Sequence, residues 1–116
     1  MYEEFHKVQE SLKDYLIDSG TDKYTSKHAT YQKYNNLKLY MEPRKHPDPH
    51  FIVRIGISEA MYDLESCKRL TGGLGSDEKM IRRWFERSFN RDELKRAWND
   101  SKKIKNVTLK KDDADF

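Results

Sequence analysis

Two histidines four residues apart, His46 and His50, stand in the run HPDPH with Asp48 between them, and Glu42 lies four residues upstream of His46. Imidazole and carboxylate groups at such short spacing can converge on a metal ion or exchange a proton with a substrate, so His50, His46 and Glu42 are the candidate catalytic residues. His50 leads directly into an apolar run and is the first of the three. A transition-metal centre, however, needs three or four protein ligands with supporting hydrogen bonds, and no third histidine is near. Pro47 and Pro49 fix the backbone on either side of Asp48, as a stiff wide turn between two strands also requires. The spacing therefore favours a structural turn, and no metal is expected. Cys67, the only cysteine, excludes an intrachain disulfide and a Cys-rich zinc site. Lys68 and Arg69 beside it could activate the thiol, but no histidine is positioned by spacing to serve it.

A second chemistry is binding. Lys23, Tyr24, Lys27, Tyr31, Lys33 and Tyr34 interleave cations with rings that can stack on bases, while Arg82, Arg83, Arg87, Arg91, Lys95 and Arg96 can follow phosphates or an acidic protein surface. Charge is segregated along the chain. Residues 1–22 hold six acids and two bases, and residues 76–111 hold twelve bases and six acids. Such polarity suits either a basic surface for an acidic partner or an acidic first helix folding back over basic C-terminal helices. The candidate partner-binding or nucleic-acid-binding residues are Arg82, Arg83, Arg87, Arg91, Lys95, Tyr31 and Tyr34. The expected partner is another protein chain of acidic character or a second copy, with nucleic acid as the alternative.

These residues must be carried by elements that the apolar pattern defines. Phe5, Val8, Leu12, Tyr15 and Leu16 fall on one helical face over residues 2–17, with Gly20 in DSGTD as the stop signal. KYTSKHATYQKYNN lacks a firm period and reads as a loop or irregular strand. LKLYMEP alternates, placing Leu37, Leu39 and Met41 on one face. FIVRIGI repeats that pattern with Phe51, Val53, Ile55 and Ile57 inward, and EAMYDL follows with Ala60, Tyr62 and Leu64. TGGLGS is too short of either phosphate-binding glycine pattern and reads as a flexible link, so no nucleotide or other cofactor is expected. Ser76 is then the N-cap of a helix with Ile81, Trp84 and Phe85 inward, and Asn90 with Glu93 opens a second bearing Leu94, Ala97 and Trp98.

The expected fold is α+β: a three-stranded antiparallel meander packed against an N-terminal helix and two C-terminal helices. Residues 1–103 form one domain, comprising an extension over 1–36 and a core over 37–99, and residues 104–116 form a charged, loosely ordered tail. With 37% charged residues and a mean hydropathy of −1.07, the core must be small and rich in aromatics. No run approaches the length of a membrane span, and the start MYEEFHKVQE is unlike a signal peptide, so a cytoplasmic protein is expected.

Three pieces of the chain, YMEPRKHPDPHFIV, AMYDLESCKRLTGG and IRRWFERSFNRDELKRAW, resemble the small bacterial family of domain of unknown function 4160 from about Leu37 to Asn99. The family's loop tends to read Pro-Pro-His-x-His, whereas here Ile52 stands where the second histidine would be. The resemblance implies no reaction. It implies an association with small partners, as in toxin–antitoxin or regulatory gene pairs. The functional expectation is thus a protein-interaction or regulatory module, with nucleic-acid binding through the basic C-terminal helices as one alternative and a small hydrolase or nuclease using His46 and His50 as another. An enzyme is the less expected outcome, because no complete catalytic motif is present.

Overall fold

The computed structural model describes the backbone of residues 2–114 and the side chains of residues 6–101. The charged tail expected over 104–116 and the inward Phe5 lie outside the described side chains. The elements run α1 (Tyr2–Gly20), α2 (Lys27–Tyr34), β1 (Lys38–Tyr40), β2 (His50–Ile55), β3 (Ser58–Asp63), β4 (Arg69–Gly72), α3 (Asp77–Phe85) and α4 (Ser88–Ala114). The fold is α+β, as expected, but the antiparallel meander has four strands in the order β1-β2-β3-β4.

The alternating residues of the strands bury one face. Leu39, Phe51, Val53, Ala60 and Tyr62 meet Val8, Leu12 and Leu16 of α1, Ile81, Trp84 and Phe85 of α3, and Leu94, Ala97 and Trp98 of α4 in one core. Phe51 stacks on Phe85 with ring centroids 5.8 Å apart and planes within 10°. Each of these large side chains, withdrawn from water, contributes roughly 1.5–3 kcal/mol, which is how so polar a chain sustains a core. α1 is the hub, packing against α2, α3, α4 and β1. On the opposite face of the sheet, Tyr40, Ile52, Met61 and Thr71 form one cross-strand row in which Ile52 and Met61 are buried.

Four expectations are corrected. The segment read as a loop contains α2, whose N-cap Ser26 accepts a hydrogen bond from the Ala29 N–H at 3.1 Å, after Asp22 has accepted from the amides of Tyr24 and Thr25. Ile57, expected inward, is 99% exposed, because Gly56 and Ile57 are the two turn residues between Ile55 and Ser58. Gly56 has φ +63°, the conformation required at the first position of a two-residue type II′ turn. The link expected at TGGLGS contributes to β4 instead. Gly72 pairs with Ala60 there at φ +71°, and a Cβ on it would come within 2.0 Å of the Glu59 carbonyl oxygen. Asn90 lies inside α4 rather than at its start, whereas Ser76 is the N-cap residue of α3, as expected, without a side-chain capping bond.

The edges of the sheet are β1 and β4. The Leu39 N–H of β1 donates to Gln9 Oε1 of α1 at 3.1 Å, so a side chain occupies one edge. β4 is four residues long, carries Arg69 and is paired with an irregular register at Met61 and Tyr62, features that discourage strand addition.

Candidate functional site

His50 is fully buried at the start of β2. Its Nε2 accepts a hydrogen bond from the Glu42 N–H at 2.9 Å, and its Nδ1 faces the Asp48 carbonyl oxygen at 2.9 Å. A donor opposite one nitrogen and an acceptor opposite the other define the neutral Nδ1–H tautomer. Both nitrogens are consumed by backbone groups, and the edge of the ring packs on Trp98 with centroids 5.1 Å apart. His46 is exposed and meets His50 edge to face at 5.6 Å. Glu42 engages His50 through its amide, while its carboxylate pairs with Lys45 at 3.3 Å. Backbone bonds from Lys45 and His46 to the Glu42 carbonyl, and from Leu64 to that of Pro49, complete the loop. The three candidate catalytic residues are thus adjacent, but their geometry is that of a brace. Among the described residues, no three His, Cys, Asp or Glu side chains are grouped to hold a metal ion.

Cys67 is buried, with φ 61°, and desolvation pushes its thiol up to about 12 despite the opposing influence of Arg82. At neutral pH it is a protonated core residue rather than a nucleophile.

The aromatic candidates separate. Tyr34 is buried and its hydroxyl donates to Asp77 Oδ1 at 2.6 Å, while Lys33 reaches the same oxygen at 3.5 Å. Burial, and then Asp77, raise the Tyr34 phenol above its usual range. Tyr34 therefore anchors α2 to the first turn of α3 and is not free to stack on a base. Tyr62 does the same from β3, donating to Glu78 Oε2 at 3.0 Å. Tyr31 remains exposed on α2, with Lys13 over its ring.

The cationic candidates also divide. Arg82 and Arg83 project from the solvent face of α3, with no carboxylate in ion-pair range among the described residues. Lys95 approaches Glu65 at 4.0 Å, Arg96 pairs with Glu93 at 3.1 Å, and Arg91 is half-buried. Arg87 turns the other way, over the ring of Tyr15 with 4.9 Å to the centroid. α1 does lie against α3 and α4, but among the described residues the ion pair that links it to α4 is Lys7 with Glu93 at 3.5 Å, opposite in polarity to an acidic helix on basic ones.

Sequence reasoning missed a cleft of about 390 Å³ at this junction. Ser11, Tyr15 and Asp18 of α1 form one wall, at spacings of four and three residues that put them on one helical face. Trp84, Arg87, Phe89 and Asn90 form the other. The floor is hydrogen-bonded: Trp84 Nε1–H donates to Ser11 Oγ at 3.1 Å, Ser11 Oγ lies 3.5 Å from Asn90 Oδ1, and Asn90 Nδ2 donates to the Trp84 carbonyl at 2.7 Å. The helical stripe on α1 was legible, but nothing local connects it to residues more than sixty positions away.

No helix among the described residues is long and apolar enough to cross a membrane. No family model matches the chain, and neither does any curated protein or solved structure.

Proposed function

We propose that this chain is a protein-interaction or regulatory module that docks an acidic protein partner on the solvent face of α3, centred on Arg82 and Arg83. The observation that carries this reading is the exposure of two adjacent guanidinium groups, without carboxylate partners among the described residues, on a helix whose other face is fixed in the core by Ile81, Trp84 and Phe85. Arginines held on a rigid element lose little order on binding, and their planar donors suit carboxylates. The resemblance of Leu37–Asn99 to the family of domain 4160 adds the reading that the partner is a small protein of a toxin–antitoxin-like pair. The competing enzyme reading loses support because His50 and Cys67 serve the fold. Nucleic-acid binding loses one of its stacking rings in Tyr34. A sheet edge is also disfavoured as the docking surface, since both edges are blunted.

Affinity purification from the native host, followed by reconstitution with the purified partner, tests the proposal. Binding should weaken at least about tenfold on changing Arg82 and Arg83 to Glu, chiefly through slower association, and should weaken with salt. A partner whose affinity is unchanged by the double charge reversal would overturn it, as would specific binding to short RNA or DNA that the same reversal abolishes.

A further inference from the structure

We infer that the cleft between α1 and the α3–α4 corner is a binding site for a small zwitterion of the α-amino acid class carrying an apolar or aromatic side chain. This inference is independent of the docking face on α3. Three observations converge on it. First, Arg87 and Asp18 both line the cleft, and no ion pair joins them, so opposite charges flank one cavity without neutralising each other. Second, the Arg87 guanidinium carbon lies over Tyr15 with 4.9 Å to the ring centroid, a cation–π contact that positions the group without spending its N–H donors on a carboxylate. Asp18 follows Tyr15 by three residues on the same face of α1 and lines the same cleft, so a carboxylate is available there to a ligand's ammonium group. Third, the cleft has an aromatic rim and a fixed floor. Phe89 is 62% exposed beside it, with the Lys7 ammonium over its ring at 5.8 Å, and the Trp84, Ser11 and Asn90 hydrogen bonds hold the base.

The volume, about 390 Å³, falls within the range of small-molecule sites and exceeds what a single amino acid needs. A purely acidic ligand is disfavoured by Asp18, and a purely cationic one by Arg87. A ligand bearing both charges satisfies each wall, and its side chain covers Phe89.

The test uses the intact protein with free L-phenylalanine and L-leucine as probes, and N-acetyl-phenylalanine and phenylalanine amide as single-charge controls. Binding is read by the amide and indole resonances of Ser11, Trp84 and Asn90 in proton–nitrogen spectra. The expected result is saturable shifts confined to the cleft with the free amino acids, and affinity reduced at least about tenfold by either control, by Arg87→Ala or by Asp18→Asn. Both substituted residues are exposed, and a preserved spectrum outside the cleft shows that each variant is folded. No shift at millimolar probe, or shifts that survive both substitutions, would overturn the inference. Neither result would bear on partner docking at Arg82 and Arg83.

Discussion

The imidazole of His50 accepts a hydrogen bond at 2.9 Å from the backbone N–H of Glu42, eight residues earlier in the chain, and so ties the exit of β1 to the entry of β2. With Nδ1 on the Asp48 carbonyl, one buried side chain replaces the backbone pairing that a proline-rich loop cannot supply. His50→Ala leaves a donor and an acceptor without partners and opens a cavity beside Trp98. It should cost about 2–4 kcal/mol of unfolding free energy in urea titration. His46→Ala, at an exposed ring, should stay within about 0.5 kcal/mol. Zinc added to the wild type should give no stoichiometric heat, whereas a micromolar response abolished by His50→Ala would establish a metal site.

Cys67 should resist thiol reagents in the native protein and react fully in urea, because its thiol is buried and protonated. Its folded pKa, about 12, lies above the ordinary value of 9.0. Folding therefore favours the protonated form. The resulting stability is whole below about pH 9 and is lost as pH rises from there towards 12, since the unfolded chain releases its proton first. Tyr40, raised by burial and by its bond to Glu59, acts in the same direction over its own range. Urea midpoints measured between pH 7 and 11 should fall, and less steeply in Cys67→Ala. A midpoint that rises with pH would contradict this.

Two glycines with the same backbone sign should respond differently to alanine. Gly56 and Gly72 both have positive φ, but the Gly56 side faces open space, whereas a Cβ at Gly72 meets the Glu59 carbonyl and Ala60 Cα. Gly56→Ala should cost only the left-handed backbone penalty, about 1 kcal/mol. Gly72→Ala should cost more than about 2 kcal/mol, because β4 must move away from β3. Thermal unfolding of the two variants beside the wild type compares them directly.

These residues show how far the fold could be read in advance. The period of two in LKLYMEP and FIVRIGI is a property of neighbours, so β1 and β2 were legible, as were α1, α3 and α4 from their apolar stripes. α2 was not, because only Thr30 and Tyr34 of its eight residues are buried and no stripe forms. β4 was not, because all four of its residues are exposed, and a strand held by backbone bonds to β3 and by Arg69 on Glu78 of α3 leaves no apolar side-chain period. Ile57 was misplaced by continuing an alternation through two turn residues. At the candidate site the failure has a different cause. The partners of His50 are backbone atoms, and that of Tyr34 is Asp77, 43 residues away, so side-chain spacing carried no record of either.

The most informative variant is at Asn90, read from sequence as a cap for α4 and found acting on α3. Its Nδ2 donates at 2.7 Å to the Trp84 carbonyl, which the end of α3 otherwise leaves with a single long backbone bond from the Arg87 N–H at 3.3 Å, and its Oδ1 lies within reach of Ser11. Trp84 Nε1 returns to Ser11, so α1, α3 and α4 meet in one small polar ring at the margin of the core. Asn90→Ala removes the shorter of the two hydrogen bonds to that carbonyl and should cost about 0.5–1.5 kcal/mol, and Ser11→Ala, which strands the indole N–H, about 1–2 kcal/mol. Since the two substitutions break bonds of one network, the double variant should lose less than the combined single losses, with a coupling of at least about 0.5 kcal/mol. An N-cap role would predict something else: Asn90→Ser or Asn90→Asp would restore stability, as either residue caps a helix well. Neither can donate an amide N–H to the Trp84 carbonyl, and Asn90→Asp would oppose it with charge. Urea titrations of these variants should therefore show Asp at least as destabilising as Ala.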